Sequence, residues 1–134
     1  MRFGLSEEQT LLSDSITRLL ADTVPLDEVR KIASGEASDS AVWQGLTELG
    51  VPGLMIPEDH GGVGLGSLDA VVVADCLGGN VTPSPFISSA VIAPTILLAA
   101  GKREDLLGSI AGGEVRIGTA FGEAIGARVD ADVK

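Results

Sequence analysis

The sequence predicts an all-α fold, an antiparallel bundle of about six helices with one Gly/Pro-rich connecting loop. Apolar residues recur at helical spacing as far as Ala111, and serine, glycine or proline bounds each segment. Short connections favour antiparallel neighbours. A strand-like pattern begins only at Val115. We therefore expect a helical domain over residues 1–113 and, over residues 114–134, the first strand of a β-domain that is otherwise missing.

The first two helices have clear start and end signals. Residues 6–9, Ser-Glu-Glu-Gln, fit a capping box, in which the serine hydroxyl and the glutamine amide satisfy free backbone groups. Pro25 ends the first helix, and Gly35 closes a shorter one that runs from Leu26 to about Ala33. The apolar stripe of the first helix consists of Leu12, Ile16, Leu19 and Leu20.

The third helix leads directly into the longest connection of the chain. Residues 38–40 offer its N-cap, and Gly50 takes the position that ends it. Its apolar face consists of Val42, Leu46 and Leu49. Residues 49–66 are so rich in glycine and proline that they should follow one specific path between helices.

A fourth helix is predicted from Leu68 to about Leu77, with Ser67 as its N-cap. Two glycines at positions 78 and 79 end it. Three consecutive valines at 71–73 would also suit a strand, since their branched side chains restrict helical rotamers.

The fifth helix should run over residues 85–100, with Ser84 as N-cap, Pro85 at its first position and Gly101 closing it. Pro94 should kink it, because proline removes one backbone hydrogen bond. A sixth helix is predicted over residues 103–111, and the strand-like pattern follows.

Composition and charge exclude several kinds of function. Nineteen acidic and nine basic residues give a net charge of −10, which repels nucleic acid and anionic lipid surfaces. The hydrophobic content of 45% and mean hydropathy of +0.35 indicate an apolar face that meets other protein, as in a homo-oligomer. The most apolar segment, residues 86–100, is too short to span a bilayer. A single cysteine, Cys76, and no visible export signal fit a cytoplasmic protein.

Residues with catalytic or metal-binding chemistry are few. The glycine loop lacks the dinucleotide-binding fingerprint, because Ser67 occupies the third glycine position when the count starts at Gly62. His60 is the only histidine, so a metal site would depend on carboxylates, and a polar turn residue is the simpler interpretation. No serine lies in a Gly-x-Ser-x-Gly elbow. The residues by themselves therefore predict no active site.

Six segments of the chain, in order, resemble the N-terminal helical domain of the acyl-CoA dehydrogenase family. Residues 46–66, with their leucine-glycine, proline, glutamate and Gly-Gly-x-Gly, resemble the loop between the third and fourth helices of that domain. The other matching segments are Leu5–Gln9, Asp69–Leu77, Pro83–Phe86, Leu97–Gly101 and Ile110–Glu114. Each segment is modestly specific, and a chance match of all six in the family order is improbable.

The resemblance implies a reaction as well as a fold. Family members follow the helical domain with a middle β-domain and a C-terminal bundle, and they hold FAD between those two and across a dimer. They remove the α-proton of an acyl-CoA thioester with a glutamate base while the β-hydrogen leaves as hydride to the flavin. That glutamate lies in the C-terminal domain, so we expect no catalytic residue here and no activity from this chain alone. An electron-transfer acceptor and a place in fatty acid metabolism are implied in the same way.

By resemblance, the start of the fifth helix forms one wall of the acyl-chain pocket. The substrate-binding residues that match this wall are Ser84, Phe86, Ser88, Ser89 and Ile92. Core packing would also explain Phe86 and Ile92, and capping would explain Ser84.

The segment Val115–Glu123 resembles the first strand of the middle domain, whose end approaches the flavin ring. The cofactor-binding positions that match are Thr119, Phe121 and Gly122. The sequence departs from the family where Gly122-Glu123 replaces the usual Thr-Glu pair. Backbone contacts to the flavin are therefore what the resemblance supports.

We expect this chain to be the N-terminal portion of an FAD-dependent acyl-CoA dehydrogenase, truncated near the start of the middle domain. The alternative is a stand-alone helical interaction subunit that pairs with a separate flavin-binding subunit. A helical adaptor unrelated to flavin is a third interpretation. An adjacent reading frame that encodes the missing domains would distinguish the first two.

Overall fold

The computed structural model describes residues 4–120, which fold into six α-helices with no strand among them. The all-α prediction is confirmed. The helices are α1 (Glu7–Thr23), α2 (Leu26–Ser34), α3 (Ser40–Glu48), α4 (Ser67–Gly79), α5 (Ala93–Ala100) and α6 (Asp105–Ala111). Two short 3-10 turns, Val51–Gly53 and Glu58–His60, lie between α3 and α4, and a π-helical stretch, Ile87–Ile92, leads into α5.

The start of α1 is confirmed and the start of α4 is corrected. The Gln9 backbone N–H donates to Ser6 Oγ at 3.1 Å, and the Ser6 N–H donates to Gln9 Oε1 at 3.0 Å. In α4 the N-cap is Gly66, whose N–H donates to the Asp69 carboxylate at 3.0 Å, so Ser67 is already the first helical residue. The valine run is helical because tertiary packing outweighs propensity, with two of its three side chains buried.

The predicted fifth helix is divided into two parts. A π-helical stretch precedes α5, and Pro94 is the second residue of α5. Proline lacks an N–H and crowds the carbonyl one turn back, and wider turns before it relieve this conflict. The prediction that Ser84 caps this helix is wrong, because its hydroxyl makes no hydrogen bond to any of residues 4–120.

Two hydrophobic clusters form the core. The larger one joins α1, α3 and α4 around fully buried side chains such as Ile16, Leu46, Val73 and Phe86. The smaller one is built on Ile56, Leu107 and Ile110, with Val115 and Ile117 packed against it. α1 lies against both α3 and α4, and α6 lies against the first 3-10 turn.

The glycine-rich connection folds back on its own beginning. The backbone N–H groups of residues 63, 64 and 65 donate to the carbonyls of residues 53, 56 and 54 at 2.8–2.9 Å. A Cβ at Gly62 would collide with the Ile56 backbone, so only glycine fits there. These contacts account for the single path that the glycines predict.

After a turn at Gly113, residues 115–120 lie against the helices, and we call them the extended segment. Burial alternates strictly from the turn onward, with residues 113, 115, 117 and 119 half-buried and residues 114, 116, 118 and 120 exposed. A period of two is typical of strand backbone. The predicted strand Val115–Glu123 extends past the described residues, and its pairing and the domain boundary at residue 113 stay predictions. None of the described helices is long and apolar enough to cross a membrane.

Candidate functional site

A groove of about 520 Å³ opens between α2, α4 and residues 81–87. Val29 and Ala33 contribute from α2, and Ala74 and Leu77 contribute from α4. The lining is mostly apolar, and this volume lies within the range of small-molecule sites. We call this surface the groove.

Two hydroxyl groups in the lining of the groove find no partner among the described residues. Thr82 Oγ1 and Ser84 Oγ are buried and have no hydrogen-bond partner within residues 4–120. A buried hydroxyl without a partner costs roughly 1–3 kcal/mol. Native folds carry few such groups, and two of them within residues 82–84 mark the groove as a candidate site.

The backbone at the rim of the groove is also strained. Val81 has φ of 51°, in the left-handed region, and its side chain is 66% exposed. A β-branched residue rarely adopts this conformation, which costs about 1–3 kcal/mol. Strain of this kind clusters at functional sites, so the groove is the best candidate site of the described chain.

The five predicted substrate-binding residues do not form a single patch. Ser84 and Phe86 line the groove, and Phe86 is also part of the larger core cluster. Ser88 and Ile92 are half-buried and lie four residues apart, and the Ser88 hydroxyl donates to the Pro85 carbonyl at 3.1 Å. Ser89 is fully buried on the side that meets residues 113–120. Their role in substrate binding stays a prediction.

Of the predicted cofactor-binding residues, the structure describes Thr119, while Phe121 and Gly122 lie outside the described residues. Thr119 is half-buried, in phase with Val115 and Ile117, which pack on the helices. The opposite, exposed side carries Gly118 and Ala120, and a Cβ added at Gly118 would meet nothing within 4 Å.

A set of polar contacts anchors residues 113–117 on the helices, and we call it the seam. The Trp43 indole N–H donates to the Gly113 carbonyl at 3.0 Å. Arg116 Nη1 lies 3.0 Å from both Asp39 carboxylate oxygens, and its guanidinium lies 5.1 Å from the centre of the Trp43 ring. The Ile117 N–H donates to Ser89 Oγ at 3.1 Å. Sequence reasoning missed the seam, because its partners are 28 to 77 residues apart.

The charged groups outside the seam are mostly solvated. His60 ends a 3-10 turn, in agreement with the turn interpretation, and its Nε2 lies 3.8 Å from a Glu104 carboxylate oxygen. Within residues 4–120 no three His, Cys, Asp or Glu side chains are grouped to hold a metal ion. The hydrogen bond from Arg103 lowers the pKa of Asp105 and raises the pKa of Arg103 itself.

Comparison with known protein families identifies the class of protein to which this helical fold and its glycine-rich loop belong. The family described as "Acyl-CoA dehydrogenase, N-terminal domain" matches residues 6–114. The chain therefore belongs to the acyl-CoA dehydrogenase family.

Two curated relatives carry the name acyl-CoA dehydrogenase IpdE2. The one from Mycolicibacterium smegmatis is 34% identical over 104 residues, which cover 76% of this chain and 33% of the relative. The one from Mycobacterium tuberculosis is 36% identical over 98 residues, which cover 72% and 30%. The chain thus spans about a third of the length of these relatives. No solved structure matches significantly.

Proposed function

We propose that this chain is the N-terminal portion of an FAD-dependent acyl-CoA dehydrogenase and forms one wall of its acyl pocket. The observation that carries the proposal is the family match over residues 6–114. The complete enzyme would remove the α-proton and the β-hydride of an acyl-CoA thioester, act as a homo-oligomer in the cytoplasm, and pass electrons to an electron-transfer acceptor.

Partial burial at the start of the fifth helix supports the pocket wall. Ser88 and Ile92 lie in the π-helical stretch and are half-buried, and Ser84 lies before the helix in the lining of the groove. Side chains that residues 4–120 cover only in part are available to the rest of a larger pocket, and the apolar groove beside Ser84 would keep water from an acyl chain.

The extended segment fits a flat cofactor. FAD, when bound, would supply the acceptor for the hydride. Because Gly118 and Ala120 are small and lie on the exposed side, a ring system could approach the backbone of this segment without a steric clash. Thr119, Phe121 and Gly122 would contribute these backbone contacts. None of this chain's residues is assigned to the proton or hydride transfer.

The test is the full-length protein that contains this sequence. We expect it to be purified yellow, with about one FAD per subunit, and to lose its flavin absorbance when an acyl-CoA from a panel of chain lengths is added without oxygen. The 134-residue chain alone should bind no flavin and show no such reaction. A full-length protein without flavin would contradict the proposal.

Exposed apolar side chains favour one alternative function. The chain would then be an interaction subunit that pairs with a separate flavin-binding subunit. Leu68 and Val71 on α4 are 72% and 62% exposed, and Leu11 on α1 is 67% exposed. A partner could cover them, whether it is part of the same chain or another one. The reading frame decides between the two: continuation into a β-domain supports the dehydrogenase, and a stop codon supports the subunit.

A further inference from the structure

Ser89 connects two regions that the proposed function uses separately. It lies in the π-helical stretch Ile87–Ile92 and is fully buried. Its backbone N–H donates to the Pro85 carbonyl at 2.8 Å, so the residue is held at both its backbone and its side chain. Its hydroxyl oxygen accepts the Ile117 N–H at 3.1 Å, across 28 residues of sequence.

This hydrogen bond is well placed to fix the path of the extended segment. Val115 and Ile117 pack against the smaller core cluster, and the seam contacts of Gly113 and Arg116 hold the start of the segment on the helices. A hydrogen bond has direction and a preferred length. The bond to Ser89 is the seam contact furthest along the segment and ties Ile117, and with it residues 118–120, to the start of the fifth helix.

The two ends of this bond lie beside the two predicted halves of the active site. Ser88, next to Ser89, and Ile92, three residues further, belong to the predicted acyl wall. Thr119 follows Ile117 by two residues and is the first predicted flavin contact. Ser89 also lies in a π-helical stretch, and π-helical turns are frequent at functional sites.

We propose that Ser89 is a positioning residue for the dehydrogenation, whose hydroxyl fixes the flavin-side strand relative to the acyl wall. This inference rests on the proposed function. Hydride transfer needs the reacting atoms about 3–3.5 Å apart, and a misplacement of about 1 Å can cost on the order of 100-fold in rate. A shift of the segment after loss of the Ser89–Ile117 bond is thus sufficient to slow the reaction.

The first arm of the test measures the bond itself. In the 134-residue chain, Ser89→Ala should speed hydrogen exchange of the Ile117 amide at least about tenfold, because the amide loses its acceptor. Ser88→Ala serves as the control, since that hydroxyl bonds within its own segment. Unchanged Ile117 exchange in Ser89→Ala would overturn the inference.

The second arm measures the reaction in the full-length flavoprotein. With the acyl-CoA that reduces the wild-type flavin fastest, Ser89→Ala should slow flavin reduction about 10- to 100-fold and leave the dissociation constant of the acyl-CoA within about twofold. Ser15→Ala, an exposed serine on α1 that bonds only its own helix, should match the wild type. A reduction rate that stays at the wild-type value in Ser89→Ala would make Ser89 merely structural and overturn the inference.

Failure of the inference and failure of the proposed function give different results. If the wild-type protein holds flavin and reacts, and the Ser89→Ala variant reacts equally fast, the inference about Ser89 is wrong and the proposed function stands. If the wild-type protein holds no flavin, both the proposed function and the inference about Ser89 are wrong.

Discussion

The groove and the seam lie on neighbouring parts of one small domain and are built in opposite ways. In the seam, the Trp43 indole, the Arg116 guanidinium and the Ser89 hydroxyl each have a partner. In the groove, two buried hydroxyls have no partner within residues 4–120, and Val81 is strained. The seam contacts therefore stabilise the fold, whereas the hydroxyls and the strained residue of the groove lower its stability.

This difference indicates what each region is for. A fully paired set of contacts at the end of the helical domain stabilises the path of the chain into the next segment. Unpaired hydroxyls and a strained residue lower stability, and proteins retain such features where function requires them. Removal of a seam contact should therefore destabilise the protein, whereas removal of an unpaired hydroxyl or relief of the strained residue in the groove should stabilise it.

The largest effect should come from Gly113 in the seam. Gly113 has φ of 71°, and a Cβ there would lie 3.1 Å from the Thr47 Cβ and closer still to its branch atoms. Gly113→Ala should lower the free energy of unfolding by about 2–3 kcal/mol, through backbone strain and overpacking together. Urea denaturation of the variant and the wild type measures this difference in the free energy of unfolding.

Gly118→Ala is the matched control, since a Cβ there meets nothing within 4 Å. Its effect should stay within about 0.5 kcal/mol. Equal stability of the two variants would show that the seam is not tightly packed at Gly113.

In the groove, Thr82→Val should have the opposite sign. The substitution keeps the shape of the side chain and removes a buried hydroxyl without a partner, so the free energy of unfolding should rise by about 1–2 kcal/mol. Thr47→Val is the matched change beside the seam, on α3 next to Gly113, where the hydroxyl donates to the Trp43 carbonyl at 2.8 Å, and it should destabilise. A Thr82→Val variant less stable than the wild type would break the contrast between the two regions.

Relief of backbone strain should stabilise the groove further. Asparagine tolerates the left-handed conformation better than valine, so Val81→Asn should raise the free energy of unfolding by up to about 1 kcal/mol. Val71→Asn, on the exposed side of α4, should give no gain, because asparagine is a poor residue for a helix interior. Thermal unfolding of both variants checks this, and a destabilised Val81→Asn would argue against strain at this position.

The sequence predicts the helices far better than it predicts these two regions. Helical periodicity, a capping box and helix-ending glycines are local signals, and α1, α2 and α3 follow them closely. The π-helical stretch before Pro94 was not predicted, because nothing local distinguishes it from a kinked α-helix. Serine is common at helix starts, yet the Ser84 hydroxyl has no partner in the described part of the chain and Ser89 bonds a residue 28 positions away. Long-range pairing and the lack of it are not visible in local patterns.

The smallest predicted effect concerns an ion pair outside both regions. The hydrogen bond from Arg103 lowers the pKa of Asp105. Because the folded pKa is the lower one, the contribution to stability is complete above the usual aspartate pKa and disappears as the pH falls through the lowered value. Both groups are fully exposed, so solvent screens most of the attraction.

Melting temperatures between about pH 5 and pH 2 should therefore fall slightly less steeply in Asp105→Asn than in the wild type. Identical pH profiles would show that this pair contributes nothing to stability, and a difference as large as that of Gly113→Ala would show that the stability of the domain does not reside chiefly in the seam.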